Sequence, residues 1–173
     1  MKAATIARYG SPGVIEVRDV PTPVPGADEV LIRVHATTVN RTDCGELLHP
    51  TLIGFMSGRR SRRRILGMDF SGIVEAVGAG VGLFRPGDYV FGMCPFRKDG
   101  AQAEYFCMPE SGAIAPMPRN LRFDEAVLCE GAYYANASVE KFVYGPCHKV
   151  LIYGTSGAMG TAAVQLAEIR GAE

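Results

Sequence analysis

The stretch "KVLIYGTSGAMGTAAVQLAEIRGAE", residues 149–173, carries three signals in series. The unbroken apolar run from Lys149 to Tyr153 predicts a strand of the kind buried on both faces of a parallel sheet. The loop Gly154, Thr155, Ser156, Gly157, Ala158, Met159, Gly160 follows with a Gly-x-x-Gly-x-x-Gly spacing, and "AMGTAAVQLAEIR" then predicts a helix with Gly171 as its C-cap. Glycines here let the backbone turn sharply and approach a pyrophosphate, whose charge the first amides of the helix can receive. Ala158, Ala162, Ala163 and Ala167 are small enough to seat that helix closely against a sheet. The spacing alone is weak, but a strand before and a helix after make these loop residues candidate cofactor ligands. A dinucleotide site also needs a second strand, whose end reads the ribose 2′ position. "RGAE" stands where that strand would start, so the expectation is half of a nucleotide site.

Upstream, residues 1–120 read as a β-rich unit. "KAATIARY" and "VIEVRDV" are short strands around the turn signal Gly10-Ser11-Pro12-Gly13, and "PTPVPG" is a proline connector unable to donate ladder hydrogen bonds. In "EVLIRVHATTV", Val30, Ile32, Val34 and Ala36 are expected on one face, with Leu31, Arg33, His35 and Thr37 on the other. "RTDCGELL" predicts one or two helical turns; "FSGIVEAVG", "YVFGM" and "AQAEYFCM" predict strands, with "RPGD" a turn. Many short strands separated by turn signals suggest a barrel-like unit. From residue 121 the turn breaks thin out, and "RFDEAVLCEGAYYANASVEKFVYG" predicts two short helices. The expected organisation is a domain over 1–120 and a partial second one over 121–173.

Composition narrows the function classes. Lys plus Arg and Asp plus Glu both number 18, so the formal net charge is zero and no global electrostatic case exists for nucleic acid or an acidic membrane. The cluster Arg59, Arg60, Arg62, Arg63 and Arg64 reads either as an anion-binding patch or as a solvated loop, and the absence of interleaved aromatics favours the loop. Five cysteines without a Cys-x-x-Cys pair fit reduced thiols rather than a disulfide framework. No apolar run approaches ~18 residues and the N-terminus lacks a signal-peptide core, so the expected compartment is cytoplasm and no membrane partner is expected.

The chain resembles the medium-chain dehydrogenase/reductase superfamily in its zinc-independent quinone oxidoreductase-like branch. The residues that carry the resemblance are "MKA" and "YGSPGVIEVRDVPTP" at the start, "NRTD" at 40–43, "ILGMDFSGIVEAVGAGV" at 65–81, "RPGDYVFG" at 85–92, "GAQAEYF" at 100–106 and the glycine loop. It implies a mainly β GroES-like catalytic domain followed by the first strand-loop-helix unit of a Rossmann domain. It also implies reduction of quinones, enones or related carbonyls with NADPH, NADH not being excluded. Family members are about twice as long, so the 173-residue chain alone is expected to be inactive, and to bind NADPH feebly, on the order of millimolar. The other reading is a non-catalytic GroES-like interaction module, or a zinc-independent alcohol or aldehyde dehydrogenase-like enzyme. An apolar strand with open edges predicts either a piece of a longer enzyme or self-association through this tail.

The resemblance also implies particular site residues. Zinc alcohol dehydrogenases carry Cys-x-Thr-Asp and Gly-His-Glu motifs; here Asn40-Arg41-Thr42-Asp43 and Gly67-Met68-Asp69 stand in their place. Asn40 and Met68 thus replace a cysteine and a histidine, and Cys129, near the third ligand position, cannot hold zinc alone. His35, His49 and His148 are scattered, and no metal is expected. Asn40 then offers an amide donor toward the nicotinamide or substrate, or it caps the "RTDCGELL" helix. Thr42 and Asp43 orient the nicotinamide ribose or serve the first helical turn. Arg41, Phe55 and Met68 are candidate substrate contacts, with plain packing the alternative for the two apolar ones. Gly131 falls where relatives approach the nicotinamide, and Tyr133 or Tyr134 beside it is a candidate donor to a carbonyl or a packing residue.

Overall fold

The strand pattern closes into two antiparallel sheets. In the computed structural model, which describes residues 1–48, 64–95, 100–141, 145–146 and 148–173, the chain divides into two compact units, Met1–Val127 and Leu128–Glu173. The first holds β1 (Lys2–Ile6), β2 (Ile15–Asp19), β3 (Glu29–Thr37), α1 (Arg41–Leu48), β4 (Arg64–Ile65), β5 (Asp69–Val77), β6 (Tyr89–Met93), β7 (Tyr105–Pro109), β8 (Ile114–Pro116) and α2 (Phe123–Ala126). The strands order as β2-β1-β4 and β7-β3-β5-β6-β8. An isolated bridge, Ala3 to Ala103, ties β1 to the segment that leads into β7, with the Ala4 amide donating to the Gln102 carbonyl at 2.8 Å beside it.

The inward face of the larger sheet makes the core. Val30, Ile32, Phe70, Val74, Val90, Phe106 and Met108 pack there with Phe84, Cys94 and Ala101. Val30 and Ile32 on one face of β3 follow from alternation, but the alternation is not strict. Register shifts fall between Leu31 and Ile32 and between Val34 and Ala36. The second leaves His35 without a paired residue on β5, and a bulge of this kind kinks the strand just before the turn into α1.

On the outer face, α2 is fastened by aromatic stacking. Phe123 lies between His35, with ring centroids 4.3 Å apart, and Tyr89, at 5.4 Å, both nearly parallel to it. The buried Ser71 hydroxyl donates to the Phe123 carbonyl at 2.7 Å. These contacts explain why the first unit runs past residue 120 to Val127.

The second unit contains α3 (Glu130–Val139) and α4 (Ala158–Ile169). The strand expected at residues 149–153 does not form: the segment carries no ladder, Leu151 is 96% and Tyr153 fully exposed. A strand buried on both faces needs partners on both edges. Among the described residues it approaches pairing at Glu173, whose amide donates to the His148 carbonyl at 2.9 Å while its carbonyl accepts from the Val150 amide at 2.8 Å. One residue bonded to both i−1 and i+1 of a neighbour is the pattern of a parallel ladder. Chain direction is therefore that of a strand-helix-strand crossover, with Gly171 at φ 76° making the turn after α4.

Candidate functional site

Asn40 is the hub of a polar cluster in the first unit. It precedes α1, and its side-chain oxygen accepts from the Thr42 amide at 2.8 Å and the Asp43 amide at 3.2 Å. Asp43 answers in the other direction, its carboxylate accepting the Asn40 amide at 2.9 Å. This is a reciprocal capping box, satisfying donors that the first helical turn leaves orphaned. The opposite carboxylate oxygen of Asp43 accepts the Gly67 amide at 3.1 Å. Gly67 has φ 101°, where a side chain would be strained, so the glycine lets this amide turn toward the carboxylate.

The other half of the cluster comes from the start of β5. Asp69, 2% exposed, accepts from the Asn40 side-chain nitrogen at 3.2 Å and from the Thr38 hydroxyl at 2.6 Å. The Thr37 hydroxyl donates to the Asp69 carbonyl at 2.8 Å, and Gln102 reaches the Thr38 carbonyl at 3.3 Å. Two buried carboxylates are tolerable here because each is hydrogen-bonded. Their field is felt by Cys94: burial first, then the charges of Asp69 and Asp43, push its thiol far above the ordinary range. Cys94 is therefore held neutral.

The candidate residues of "NRTD" and "GMD" fall in different settings. Asn40 and Asp43 share the capping box, and Thr42 contributes its amide to it. Arg41 is exposed, whereas Met68 is buried at 4% and its carbonyl accepts from the Cys94 amide at 2.7 Å. Zinc does not fit these positions, because a carboxamide committed to amides and a carboxylate, and a buried thioether, replace the nitrogen and sulfur donors it favours. Phe55, His49 and the arginines at 59–63 lie outside the described residues. His35 is the stacked residue on the outer face. Sequence reasoning had no roles for Asp69, Thr38 or Gln102; an acid opening an otherwise apolar strand was the available signal for Asp69.

In the second unit the glycine loop is open to solvent. Residues 154–159 are exposed, and α4 starts at the N-cap Gly157, which offers no side-chain cap. A Cβ on Gly160 would run into the Gly154 carbonyl, so the loop can fold back over the helix start only with glycine there. The Thr161 hydroxyl braces the loop, its single proton shared between the Thr155 and Gly157 carbonyls, each at 3.0 Å. An open helix N-terminus under a glycine turn suits a phosphate. Gly131 sits where α3 meets α4: a Cβ there would come within 2.8 Å of the Ala158 methyl. Tyr133 is 52% exposed and packs edge-on against Tyr134, centroids 5.5 Å apart. Cys129 precedes α3, and its carbonyl accepts the Tyr133 amide at 2.9 Å.

Comparison with known proteins gives a consistent picture. Residues 26–119 match the family described as alcohol dehydrogenase GroES-like domain. The quinone oxidoreductase of Mus musculus is 33% identical over 178 aligned residues, covering 99% of this chain and 50% of its own length. The solved quinone oxidoreductase of Coxiella burnetii is 29% identical with a TM-score of 0.84, covering 99% of this chain and 54% of that one. A solved NAD-dependent alcohol dehydrogenase is 32% identical with a TM-score of 0.83, covering 100% of this chain and 56% of that one. The chain thus spans about half the length of the curated relatives it matches. It belongs to the medium-chain dehydrogenase/reductase superfamily, in its quinone oxidoreductase-like branch, and carries that superfamily's GroES-like domain.

Proposed function

We propose that the protein is a cytoplasmic, zinc-independent oxidoreductase of quinones, enones or related carbonyls that uses NADPH, with NADH as the other candidate. The observation that carries the proposal is similarity along the whole chain to quinone oxidoreductases, combined with the glycine turn over the open start of α4. The bound nicotinamide supplies the hydride. The chain's own residues bind, orient and polarise. Amides at the start of α4 and the loop Gly154–Gly160 receive the pyrophosphate. Asn40 is the donor whose carboxamide N–H we assign to the oxygen on which negative charge develops, and the Tyr133 hydroxyl is the second candidate donor to a carbonyl. By the family resemblance we assign Thr42 and Gly131 to cofactor binding, and Arg41, Phe55 and Met68 to substrate contact. We assign the catalytic domain to 1–120 and the nucleotide-binding portion to 121–173.

Binding is the first test. NADPH added at about millimolar concentration is expected to shift the backbone amides of Gly154–Gly160 in an NMR spectrum, reflecting weak affinity. The same titration on Gly160→Ala is expected to show no shift. A loop indifferent to both NADPH and NADH in the unmodified chain would overturn the proposal.

A second reading draws on Leu151 and Tyr153, which stand almost wholly in solvent. Here the chain serves as a non-catalytic module that pairs with itself through residues 149–153. Concentration-dependent association without any nucleotide response would favour it.

A further inference from the structure

We propose that Asp69 is a positioning residue for the Asn40 carboxamide; the inference rests on the reading of Asn40 as the donor to the reacting oxygen. The Asn40 side chain has one oxygen and one nitrogen to place, and its partners decide the orientation. The oxygen faces two backbone donors, Thr42 and Asp43, so the nitrogen must be the atom 3.2 Å from the Asp69 carboxylate. A helix cap needs only the oxygen. An exposed cap would leave the nitrogen to water, yet here it is met by a carboxylate that is 2% exposed.

The carboxylate is itself held on the same segment. Thr38 donates to the oxygen that Asn40 uses, and Thr37 donates to the Asp69 backbone carbonyl. Residues 37–40 and the start of β5 are therefore locked together by side chain and main chain. Burying a charge is costly unless hydrogen bonds compensate it. What the arrangement secures is a single carboxamide orientation. The Thr42 and Asp43 amides draw charge onto the carboxamide oxygen, and hydrogen-bond chains polarised in this way strengthen the N–H groups at their far end. Asp69 fixes which way those N–H groups point.

The test follows the Asn40 side-chain NH2 signals in the full chain labelled with 15N-asparagine. The sequence has three asparagines, and the Asn40 pair is identified by its absence in Asn40→Ser. In Asp69→Asn the pair is expected to move upfield, because a neutral acceptor replaces a carboxylate. In Thr38→Val, which keeps Asp69 and removes the competing hydroxyl, it is expected to move downfield. A pair unmoved in both variants, with the other asparagine signals native, would overturn the inference. If Asp69→Asn does not fold, an unmoved pair in Thr38→Val alone overturns it. Addition of NADPH with a cyclic enone separates the two readings. Signals that respond to Asp69→Asn but not to these ligands support positioning by Asp69 and remove Asn40 as the donor. Signals that respond to the ligands but not to either variant keep the donor and remove Asp69.

Discussion

At Asn40, one side chain is asked to end a strand connection, start a helix and present a donor. Replacing it with alanine removes the oxygen that caps α1 and strips a donor from the buried Asp69. Loss of an asparagine cap costs about 0.5–2 kcal/mol, and the exposed desolvation deficit at Asp69 adds about 1–3 kcal/mol. Urea titration of Asn40→Ala is therefore expected to lose more than a cap alone, while Asn40→Ser, which keeps a cap oxygen, should lose less. Equal losses would mean that the cap contributes nothing, and an Asn40→Ser variant as stable as the wild type would mean that the bond to Asp69 contributes nothing. The cap was legible in the sequence because asparagine stands immediately before "RTDCGELL"; its partner Asp69, 29 residues away, was not, since only the fold brings β5 to it. Cys94 offers a second check at this scale. Burial and the two nearby carboxylates raise its thiol above the ordinary value of 9.0, so the folded chain keeps a proton that the unfolded chain releases. That stabilisation is complete below about pH 9 and declines above it, by up to about 1.4 kcal/mol per pH unit. The decline should be steeper in the wild type than in Cys94→Ala, as urea midpoints across alkaline pH would show.

Elements form here where local pattern and tertiary partner agree. The strands β3 and β7 were legible from alternation and β5 and β6 as short runs between turn signals, and each has neighbours to pair with. Residues 149–153 have the composition of a strand, but among the described residues their backbone bonding is to Glu173 alone, so propensity is not realised. The two-residue β4 has too little sequence to announce itself, and the bulge at His35 depends on register with Gly72 and Ser71. The short helix α2 is likewise a tertiary product. It has four residues, below what stands alone in water, and it persists through its stack and the Ser71 bond. Phe123→Ala should remove both ring contacts, each worth about 0.5–1.5 kcal/mol beyond the area buried. The expected result is a lower thermal midpoint together with early hydrogen exchange of the Ala126 and Val127 amides. Unchanged protection there would show that α2 does not depend on its aromatic contacts. In the second unit, Gly131→Ala presses a methyl against Ala158 and should cost about 1–3 kcal/mol by overpacking. Its signature is loss of helical circular dichroism.

On the scale of the whole molecule, the two units have unequal resources. The first packs Val30, Ile32, Phe70, Val74, Val90 and Met108, all 1% exposed or less, at the centre of a five-stranded sheet. Among its described residues, the second buries Ala135 and Ala167 and leaves Leu128, Leu151, Tyr153 and Ile169 more than 70% exposed. Hydrophobic burial scales with area, roughly 25 cal/mol for each Å² removed from water, so the described residues of the second unit have far less to set against their chain entropy. Native-state exchange should therefore grade sharply, with β3 and β5 opening only in global unfolding and α4 opening locally. Open backbone along 149–153, flanked by exposed Leu151 and Tyr153, is also a template for pairing with another chain. Two copies laid edge to edge would pair this backbone and set Leu151 and Tyr153 beside their cross-strand counterparts. We therefore expect the elution volume on size-exclusion to fall as concentration rises. Lysine at either position should reverse this, because like charges would then face each other across the paired edge. Leu151→Lys and Tyr153→Lys leave α4 and the glycine loop intact, so a monomeric elution in both with wild-type helical content would place the contact at this edge. Association that survives both substitutions would place it elsewhere.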